Sequence, residues 1–181
     1  KMFNTLLDIS KIDSNLATTH IDFTLSTLVQ DLRGTFDELC QQKNLTLDFD
    51  YEDCIVQGDP HLLDQVLRNL LSNAIQYTDS GTITVTFERQ ANCLALSVKD
   101  QGCGIPAEDL SLIFNEFYRS EHSRSRYDGL GLGLSIVNRI LKKIGGRCEV
   151  ESEVGRGSNF KIQTPFTVAS PHSFEGALPA R

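Results

Sequence analysis

Two asparagines, Asn69 and Asn73, lie four residues apart in a stretch whose apolar residues recur at helical spacing. Gln65 and Gln76 extend the same row, so four neutral amides line one side of the predicted helix. Exposed helix faces usually carry charges, and asparagine is a poor helix former. An amide oxygen can ligate magnesium, and an amide nitrogen can bind a phosphate oxygen. The row therefore indicates either a magnesium polyphosphate site or an uncharged solvated stripe, and the helix alone does not decide between them.

A second group, Asp100, Gly102 and Gly104, follows the end of an alternating stretch typical of a strand. Glycines at this spacing let the backbone turn tightly and approach a flat ligand where a Cβ would collide. Asp100 can accept a hydrogen bond from an exocyclic amine of such a ligand. A surface turn with an incidental aspartate explains the same residues, and this motif alone favours that simpler interpretation.

Three alternate glycines, Gly129, Gly131 and Gly133, open another predicted helix. Free amides and the positive end of the helix dipole at such an entry form an anion site. The segment is neither a Walker loop, which needs Gly-Lys-Ser/Thr, nor a dinucleotide fingerprint, because a polar loop rather than a strand precedes it. The core positions of this helix are predicted to be Leu134, Val137, Leu141 and Ile144.

The polar loop before these glycines, residues 118–128, has no apolar periodicity and carries Arg119, Arg124 and Arg126. A solvated surface loop is the simplest interpretation. In an acidic chain, three arginines beside a predicted phosphate site also suggest a mobile lid.

The asparagine helix has a well-marked start. Asp59 fits the N-cap and Pro60 the first helical position, and we expect the helix to span 60–77. Its predicted core face comprises Leu62, Leu63, Val66, Leu67, Leu70, Leu71 and Ala74.

Further helices and strands must hold these groups in place. Apolar periodicity predicts helices near 25–43, 106–117 and 131–144. The core face of the first is predicted to be Leu25, Leu28, Val29, Leu32, Phe36 and Leu39. Strands are predicted at 21–23, 45–50, 54–58, 82–88, 94–99, 147–153 and 159–165. We expect a two-layer α/β sandwich in which a mixed, mostly antiparallel sheet is covered on one face by the helices at 25–43, 60–77 and 131–144.

Composition narrows the class of protein. A chain of 181 residues with 40% hydrophobic residues can bury one main core. A net charge of -7 disfavours nonspecific binding to nucleic acid or anionic membrane. Five widely spaced cysteines without a CxxC pair indicate reduced thiols in the cytoplasm, and the four histidines show no zinc-ligand spacing. No apolar run is long enough to span a membrane, and no signal peptide is evident.

The two ends of the chain differ from the middle. Residues 1–12 carry the apolar stripe of a helix too short to be stable alone, which suggests the end of a longer helix whose partner lies upstream or on another copy. Residues after Pro165 are rich in Pro, Ser, Gly and Ala and indicate a linker or disordered tail. The predicted divisions are 1–19, 20–166 and 167–181.

Five segments in order carry a resemblance: N-x-x-x-N on a helix, D-x-G-x-G after a strand, FNEFYR, a G-x-G-x-G helix entry and a final G-x-G-S-x-F. Together they resemble the catalytic ATP-binding domain of bacterial sensor histidine kinases, within the wider Bergerat-fold family of gyrase, mismatch-repair, Hsp-type chaperone and histidine kinase ATPases. NLLSNAIQYT, IFNEFYR and GLGLGLSIV look like the kinase branch. LLDISKIDSN is similar to the end of the dimerisation helix of such kinases, so the resemblance covers residues 1–166.

The resemblance implies roles for individual residues. Asn73 would hold Mg²⁺ and the ATP phosphates, with Asn69 helping, and these two form the implied catalytic pair. Asp100 would bind the adenine amino group. The remaining implied nucleotide contacts are Gln76, Tyr77, Gly102, Gly104, Ile105, Arg119 with the lid that follows it, Gly129, Leu130, Gly131, Leu132, Gly133, Leu134, Ser158 and Phe160.

Three departures from the family pattern stand out. Gln76 replaces the usual lysine, which removes a positive charge from the phosphate site, and Ser158 replaces the commoner threonine. No phosphoacceptor histidine is present, because His20, His61, His122 and His172 all lie in other contexts.

The resemblance therefore implies transfer of the ATP γ-phosphate to a histidine on an upstream helix, and then to an aspartate of a response regulator or a fused receiver domain. The full protein would dimerise through the missing helices, and this domain would be cytoplasmic even if the full protein is anchored in the inner membrane. A nucleotide-binding module that has lost catalysis is the first alternative, prompted by Gln76. A gyrase-type ATPase is the second. It is disfavoured by Asn69, where such enzymes carry a carboxylate that activates water, and by the resemblance of the first residues to a dimerisation helix.

Overall fold

The computed structural model describes residues 19–120 and 130–169. Its elements in chain order are β1 (Ile21–Thr24), α1 (Leu25–Gln42), β2 (Leu45–Asp50), β3 (Ile55–Gly58), α2 (Pro60–Tyr77), β4 (Gly81–Gln90), β5 (Cys93–Lys99), α3 (Gly133–Ile144), β6 (Arg147–Glu153) and β7 (Gly157–Ala169). Predictions that lie outside the described residues concern the dimerisation helix, the tail, Arg124, Arg126 and Gly129.

The seven strands form one sheet with β7 at its centre. The order is β1-β3-β7-β5-β4-β2, and β6 also pairs with β7. One edge of β7 pairs with β5, while the other pairs first with β6 and then, at residues 167–169, with β3. The pairing of β2 with β4 is parallel, and the remaining pairings are antiparallel. This arrangement confirms the predicted mixed, mostly antiparallel sheet.

Alternation along the central strands gives the sheet one apolar and one polar face. Opposite one another on the apolar face are Val85 and Val98, and Val98 in turn lies opposite Phe160. These side chains belong to the same buried cluster as the inward faces of α1, α2 and α3. The other face carries polar residues such as Thr84 and Lys161 at the alternate positions. The helices therefore form a single layer on one face of the sheet, as predicted.

The core differs from the prediction at a few helix positions. Leu39 of α1 is 45% exposed, whereas its neighbour Cys40 is buried. In α3 the buried apolar residues include Ile136 and Ile140, which the prediction omitted, while Leu134 is only half-buried. A shift of one residue turns a helical side chain by about 100°, so the tilt of each helix on the sheet decides these positions.

The predicted helix at 106–117 is wrong. The segment forms successive turns in which the amides of Asp109, Leu110 and Leu112 each bond the carbonyl three residues earlier. It ends at Phe117, whose φ of 62° lies in the left-handed region that a bulky side chain rarely adopts. The apolar spacing is real, because Ile113 is buried and its amide bonds Asp109 O, four residues earlier. The bonds on either side of it span three residues, so a continuous α-helix does not form.

At the other end of the domain, β7 continues to Ala169, which pairs with Ile55 of β3. The strand thus passes the predicted domain boundary at 166. None of the helices in the described residues is both long and apolar enough to cross a membrane.

Candidate functional site

The asparagine helix α2 forms one wall of a cleft above the sheet. Its start is fixed as predicted, because Asp59 Oδ1 accepts hydrogen bonds from the amides of His61 (3.1 Å) and Leu62 (3.2 Å). Leucines on its opposite side are buried in the core, which leaves Asn73 and Tyr77 on the cleft side.

The cleft brings together residues from five separate stretches of the chain: α2, the loop after β5, the turns before residue 120, the start of α3 and the start of β7. Its lining includes nine residues that the sequence predicted for the site: Asn73, Tyr77, Asp100, Gly104, Ile105, Arg119, Leu134, Ser158 and Phe160. These stretches are far apart in the chain, and only the fold brings them to one place.

Asp100 lines the cleft and is only 6% exposed. Its Oδ1 accepts hydrogen bonds from the amides of Gly102 (2.8 Å) and Ser158 (3.2 Å), and its own amide donates to Ser158 O (2.9 Å). Burial raises the pKa of Asp100 above its ordinary value, and the two amide hydrogen bonds act in the opposite direction. Within the described residues no donor contacts Oδ2, so this oxygen is the one that can accept a bond from a ligand amine.

The glycines after Asp100 allow close approach of two backbones. A Cβ on Gly102 would lie 2.4 Å from Tyr77 O, and a Cβ on Gly104, where φ is 70°, would lie 2.1 Å from Glu153 O. Neither position can hold a larger residue without moving the backbone. The prediction that a Cβ would collide here is correct, but the neighbour is the protein's own chain.

Two serines fix this wall from the side of the β6–β7 hairpin. Ser152 Oγ accepts a hydrogen bond from the amide of Ile105 (2.8 Å) and lies 2.9 Å from Ser158 Oγ. Because Ile105 and Ser158 both line the cleft, these bonds hold the end of the cleft near Asp100 in one arrangement.

At the other end of the cleft, α3 begins beside the two asparagines. Its N-cap residue, Leu132, provides no side-chain hydrogen bond to the first-turn amides. A Cβ on Gly133 would lie 3.3 Å from Asn69 Oδ1 and 3.5 Å from Asn73 Oδ1. Asn69 Nδ2 donates to Gln65 O (2.8 Å), which directs the nitrogen back to its own helix. A helix N-terminus and neutral amide oxygens therefore face each other, an arrangement suited to an anion with a bound cation.

The two ends of the predicted lid meet at the mouth of the cleft. The amide of Phe117 donates to Gly131 O (2.9 Å), and a Cβ on Gly131, where φ is 71°, would lie 2.6 Å from Tyr118 O. Tyr118 is held in turn by a hydrogen bond from its hydroxyl to Asp109 Oδ1 (2.7 Å). These contacts place Arg119 in the cleft lining, while residues 121–129 lie outside the described part of the chain.

Several predicted site residues do not line the cleft. Asn69 and Gln76 are half-buried on α2, and Gly102 is buried behind the wall that it helps to form. Leu132 is buried and Leu130 is 38% exposed, on either side of Gly131. Their predicted roles in binding remain predictions.

Five further residues line the cleft: Ala74, Cys103, Ile113, Tyr118 and Ser120. Tyr118 and Ser120 belong to the stretch predicted as a lid, and the sequence singled out none of the other three as a site residue. Ala74 and Cys103 adjoin predicted site residues, and their proximity in sequence was a usable signal. Ile113 carried none, because its position depends on the turns of residues 107–117.

The cleft offers neutral amides, a carboxylate and backbone groups, and no group of three His, Cys, Asp or Glu side chains that could hold a metal occurs in the described residues. A cation here would be bound by few protein ligands together with the ligand's own oxygens, as Mg²⁺ is with polyphosphates. The arrangement is suited to binding and positioning a nucleotide rather than to attacking it.

Comparison with known proteins gives a consistent answer. Residues 58–168 match the sequence profile of the family described as histidine kinase-, DNA gyrase B-, and HSP90-like ATPase. The chain is 34% identical over 171 residues to the sensor histidine kinase RcsC of Escherichia coli strain K12, covering 92% of this chain and 18% of RcsC.

Two solved structures are similar in fold. Full-length ShkA in complex with AMPPNP has a TM-score of 0.81 at 24% identity, over 92% of this chain and 35% of ShkA. The histidine kinase ThkA in complex with the response regulator TrrA has a TM-score of 0.73 at 28% identity, over 91% of this chain and 47% of ThkA. The chain spans less than a quarter of the length of curated relatives such as RcsC. By the match of more than half of its residues, the chain belongs to the histidine kinase-, DNA gyrase B- and HSP90-like ATPase family, among relatives that are sensor histidine kinases.

Proposed function

We propose that this chain is the ATP-binding catalytic domain of a sensor histidine kinase, which positions ATP for transfer of its γ-phosphate to a histidine on a helix outside this chain. The observation that carries the proposal is the chemical difference between the two ends of the cleft. A buried carboxylate fixed by two amides lies at one end, and paired asparagines facing a helix N-terminus lie at the other.

The end of the cleft around Asp100, Ile105 and Ser158, called the base end because it would receive the nucleobase, would bind adenine. Asp100 Oδ2 would accept a hydrogen bond from the exocyclic amine, and Ile105 and Phe160 would pack against the ring. Their positions in the cleft lining support these roles. ShkA, whose fold is similar, was solved with AMPPNP, a close analogue of ATP.

The phosphate end would bind the triphosphate. Asn73 and the first-turn amides of α3 would contact its oxygens, and Asn69, Arg119 and Gln76 would complete the surroundings. Asn73 would also hold Mg²⁺. Its half-buried amide oxygen, which lies 3.5 Å from where a Cβ on Gly133 would be, fits such a ligand. When bound, Mg²⁺ would neutralise charge on the phosphate oxygens.

In the transfer step, the γ-phosphorus would form a bond to an imidazole nitrogen as its bond to the bridging oxygen breaks and ADP leaves. The protein has little covalent chemistry to do, because positioning and charge stabilisation dominate phosphoryl transfer. Asn69 has no carboxylate with which to activate water, and its amide nitrogen is already bonded to Gln65 O. The site should therefore be a poor ATP hydrolase, unlike a gyrase-type enzyme.

The phosphoryl group would then pass to an aspartate of a response regulator or fused receiver domain, and the full protein would act as a homodimer. ThkA is similar in fold over 91% of the length of this chain, and it was solved in complex with the response regulator TrrA. A cytoplasmic location fits this role and the five cysteines, which form no disulfides in the described residues. Any attachment of the full protein to the inner membrane would be through segments outside this chain.

The test combines this chain with a separately produced histidine-bearing dimerisation helix and γ-labelled ATP. A phosphoprotein stable in base and labile in acid is expected on the helix, and Asp100→Ala should reduce its yield at limiting ATP. ATP binding without phosphoprotein would favour the module that has lost catalysis. Phosphate release by the chain without any helix would favour the gyrase-type ATPase.

A further inference from the structure

The two helices that flank the cleft end differently. α3 ends in Gly145 with φ of 77° and carries Lys142 and Lys143 in its last turn, both common ways to satisfy terminal carbonyls. α2 has neither device, because its last turn contains no basic residue and Thr78 continues in an extended conformation. The carbonyls at the end of α2 therefore need a partner from elsewhere.

Lys43, the residue after α1, supplies that partner. Its Nζ lies 2.7 Å from Ile75 O and 3.3 Å from Gln76 O. A cation at a helix C-terminus meets the negative end of the dipole, and a charged donor makes a stronger bond than a neutral one. Lys43 thus connects the end of α1 to the end of α2, and it lies 32 residues before Ile75 and 33 before Gln76 in the sequence.

The backbone of Lys43 is itself fixed. Its amide donates to the carbonyl of Cys40 (3.0 Å), whose side chain is buried in the core. Two residues later β2 begins at Leu45, which pairs with Gly81 at the start of β4. The ammonium group thus reaches α2 from a rigid corner of the sheet.

The end of α2 is in turn bonded to the base end of the cleft. Tyr77 O accepts a hydrogen bond from the amide of Cys103 (3.1 Å), and Gly102 packs so closely that a Cβ there would lie 2.4 Å from the same oxygen. Tyr77 and Cys103 both line the cleft. A change in the last turn of α2 must therefore move the wall formed by residues 102–104.

We propose that Lys43 is a positioning residue for the nucleotide: it fixes the last turn of α2 and, through Tyr77 and Cys103, the wall that receives the base. Lys43 is not part of the cleft lining, so it acts without touching the nucleotide. This inference rests on the proposed function of the cleft and adds a residue that the family motifs do not include.

The test compares Lys43→Met, which keeps the length and apolar stem but removes the donor, with Lys43→Arg, which keeps charge and donors. Lys142→Met removes one exposed charge from α3 and is the matched control. Affinities for adenosine and for a non-hydrolysable ATP analogue are measured by calorimetry well below the unfolding temperature. Hydrogen exchange is followed at residues 75–78 and 102–104.

Lys43→Met should weaken both ligands by a similar factor, about three- to tenfold, as a modest loss of positioning produces. Hydrogen exchange should become faster at both segments. Lys43→Arg and Lys142→Met should bind within about twofold of the unmutated chain. The equal effect on adenosine and the ATP analogue separates positioning of the base wall from direct attraction of phosphate.

Unchanged affinity in Lys43→Met, with faster exchange confined to residues 75–78, would overturn the proposal and leave a purely structural cap. A loss limited to the ATP analogue would also overturn it, in favour of long-range attraction between Lys43 and the phosphates. If the unmutated chain binds neither ligand, the proposed function itself fails, which is a distinct result.

Discussion

The base end and the phosphate end of the cleft are built in different ways. At the proposed base end, Asp100, Ile105 and Ser158 are tied to one another through Ser152 and backbone amides, in a buried to half-buried network. At the proposed phosphate end, the groups available to a ligand are half-buried amides and the start of α3.

This difference teaches how the two parts of ATP would be recognised. A fixed carboxylate among fixed amides selects one hydrogen-bond pattern, because a base without an amine at the matching position leaves the carboxylate oxygen unpaired. Amide side chains and a helix N-terminus attract any phosphate and can adjust as the γ-phosphate leaves. Variants at the two ends should therefore affect adenosine and ATP differently.

The largest effect is expected at the phosphate end. Asn73→Ala removes the proposed Mg²⁺ and phosphate ligand and should reduce phosphoryl transfer by about 100-fold or more, the loss expected when a group stabilising the transition state is removed. Affinity for adenosine should stay within about twofold. Ser72→Ala, at an exposed position one residue earlier on α2, is the control. An equal loss of adenosine binding would contradict the division of the cleft into two ends.

The base end is tested by Asp100→Ala. Loss of a charged acceptor and of the network around it should weaken adenosine and ATP alike, by about 10- to 100-fold. Calorimetric titration of both ligands measures the change, with exposed Asp48→Ala on β2 as the control. Binding of ATP that persists while adenosine binding disappears would show that the phosphate end works independently.

Gln76→Lys restores the charge that the kinases usually have at this position. ATP affinity should increase by about two- to fivefold, since the side chain is partly solvated and its charge is screened. Adenosine affinity should not change, and the gain should shrink at high salt. Gln30→Lys, on the exposed side of α1, adds the same charge elsewhere and should have no such effect. A gain in adenosine affinity would mean that Gln76 belongs to the base end.

The smallest effect concerns stability and pH. Burial raises the pKa of Asp100 above its ordinary 3.8, so ionisation is harder in the folded than in the unfolded chain. The stability that this group contributes is full below pH 3.8 and is lost as pH rises through the raised folded pKa. Asp100→Asn should therefore gain stability relative to the unmutated chain as pH rises from acid to neutral.

Urea unfolding of Asp100→Asn and the unmutated chain across that range checks the sign. Asn keeps an oxygen that can accept from Gly102 and Ser158, so the comparison isolates the charge. A variant that instead loses stability relative to the unmutated chain as pH rises would mean that the two amide bonds outweigh burial at Asp100.

Local patterns sufficed for much of the site. Asp59 and Pro60 marked the start of α2, and the glycines flanking Cys103 marked a close backbone approach. Such signals work because N-caps, turns and amphipathic faces depend on residues close together in the chain. The resemblance to sensor histidine kinases then related these separate motifs to one another.

The same local reasoning failed at residues 106–117, where apolar spacing predicted an α-helix. Most backbone bonds of that segment span three residues, and its end is fixed by Gly131, on the far side of residues 121–129. A period near three and one near 3.6 cannot be separated over so short a stretch. Leu39 was misplaced for a similar reason, since the tilt of α1 buries Cys40 instead.

The sequence by itself determined most of the elements, the mixed α/β fold and the identity of the groups that could bind a nucleotide, because these follow from periodicity, turn chemistry and motif order. Only the tertiary structure decided that Ser152 ties Ile105 to Ser158, that Tyr77 O meets Cys103, and that Lys43 completes the end of α2. The physical reason is that most of these bonds join residues far apart in the chain, which only the packing of helices, loops and strands brings together. Local sequence patterns depend on residues close together in the chain, so they cannot predict such contacts.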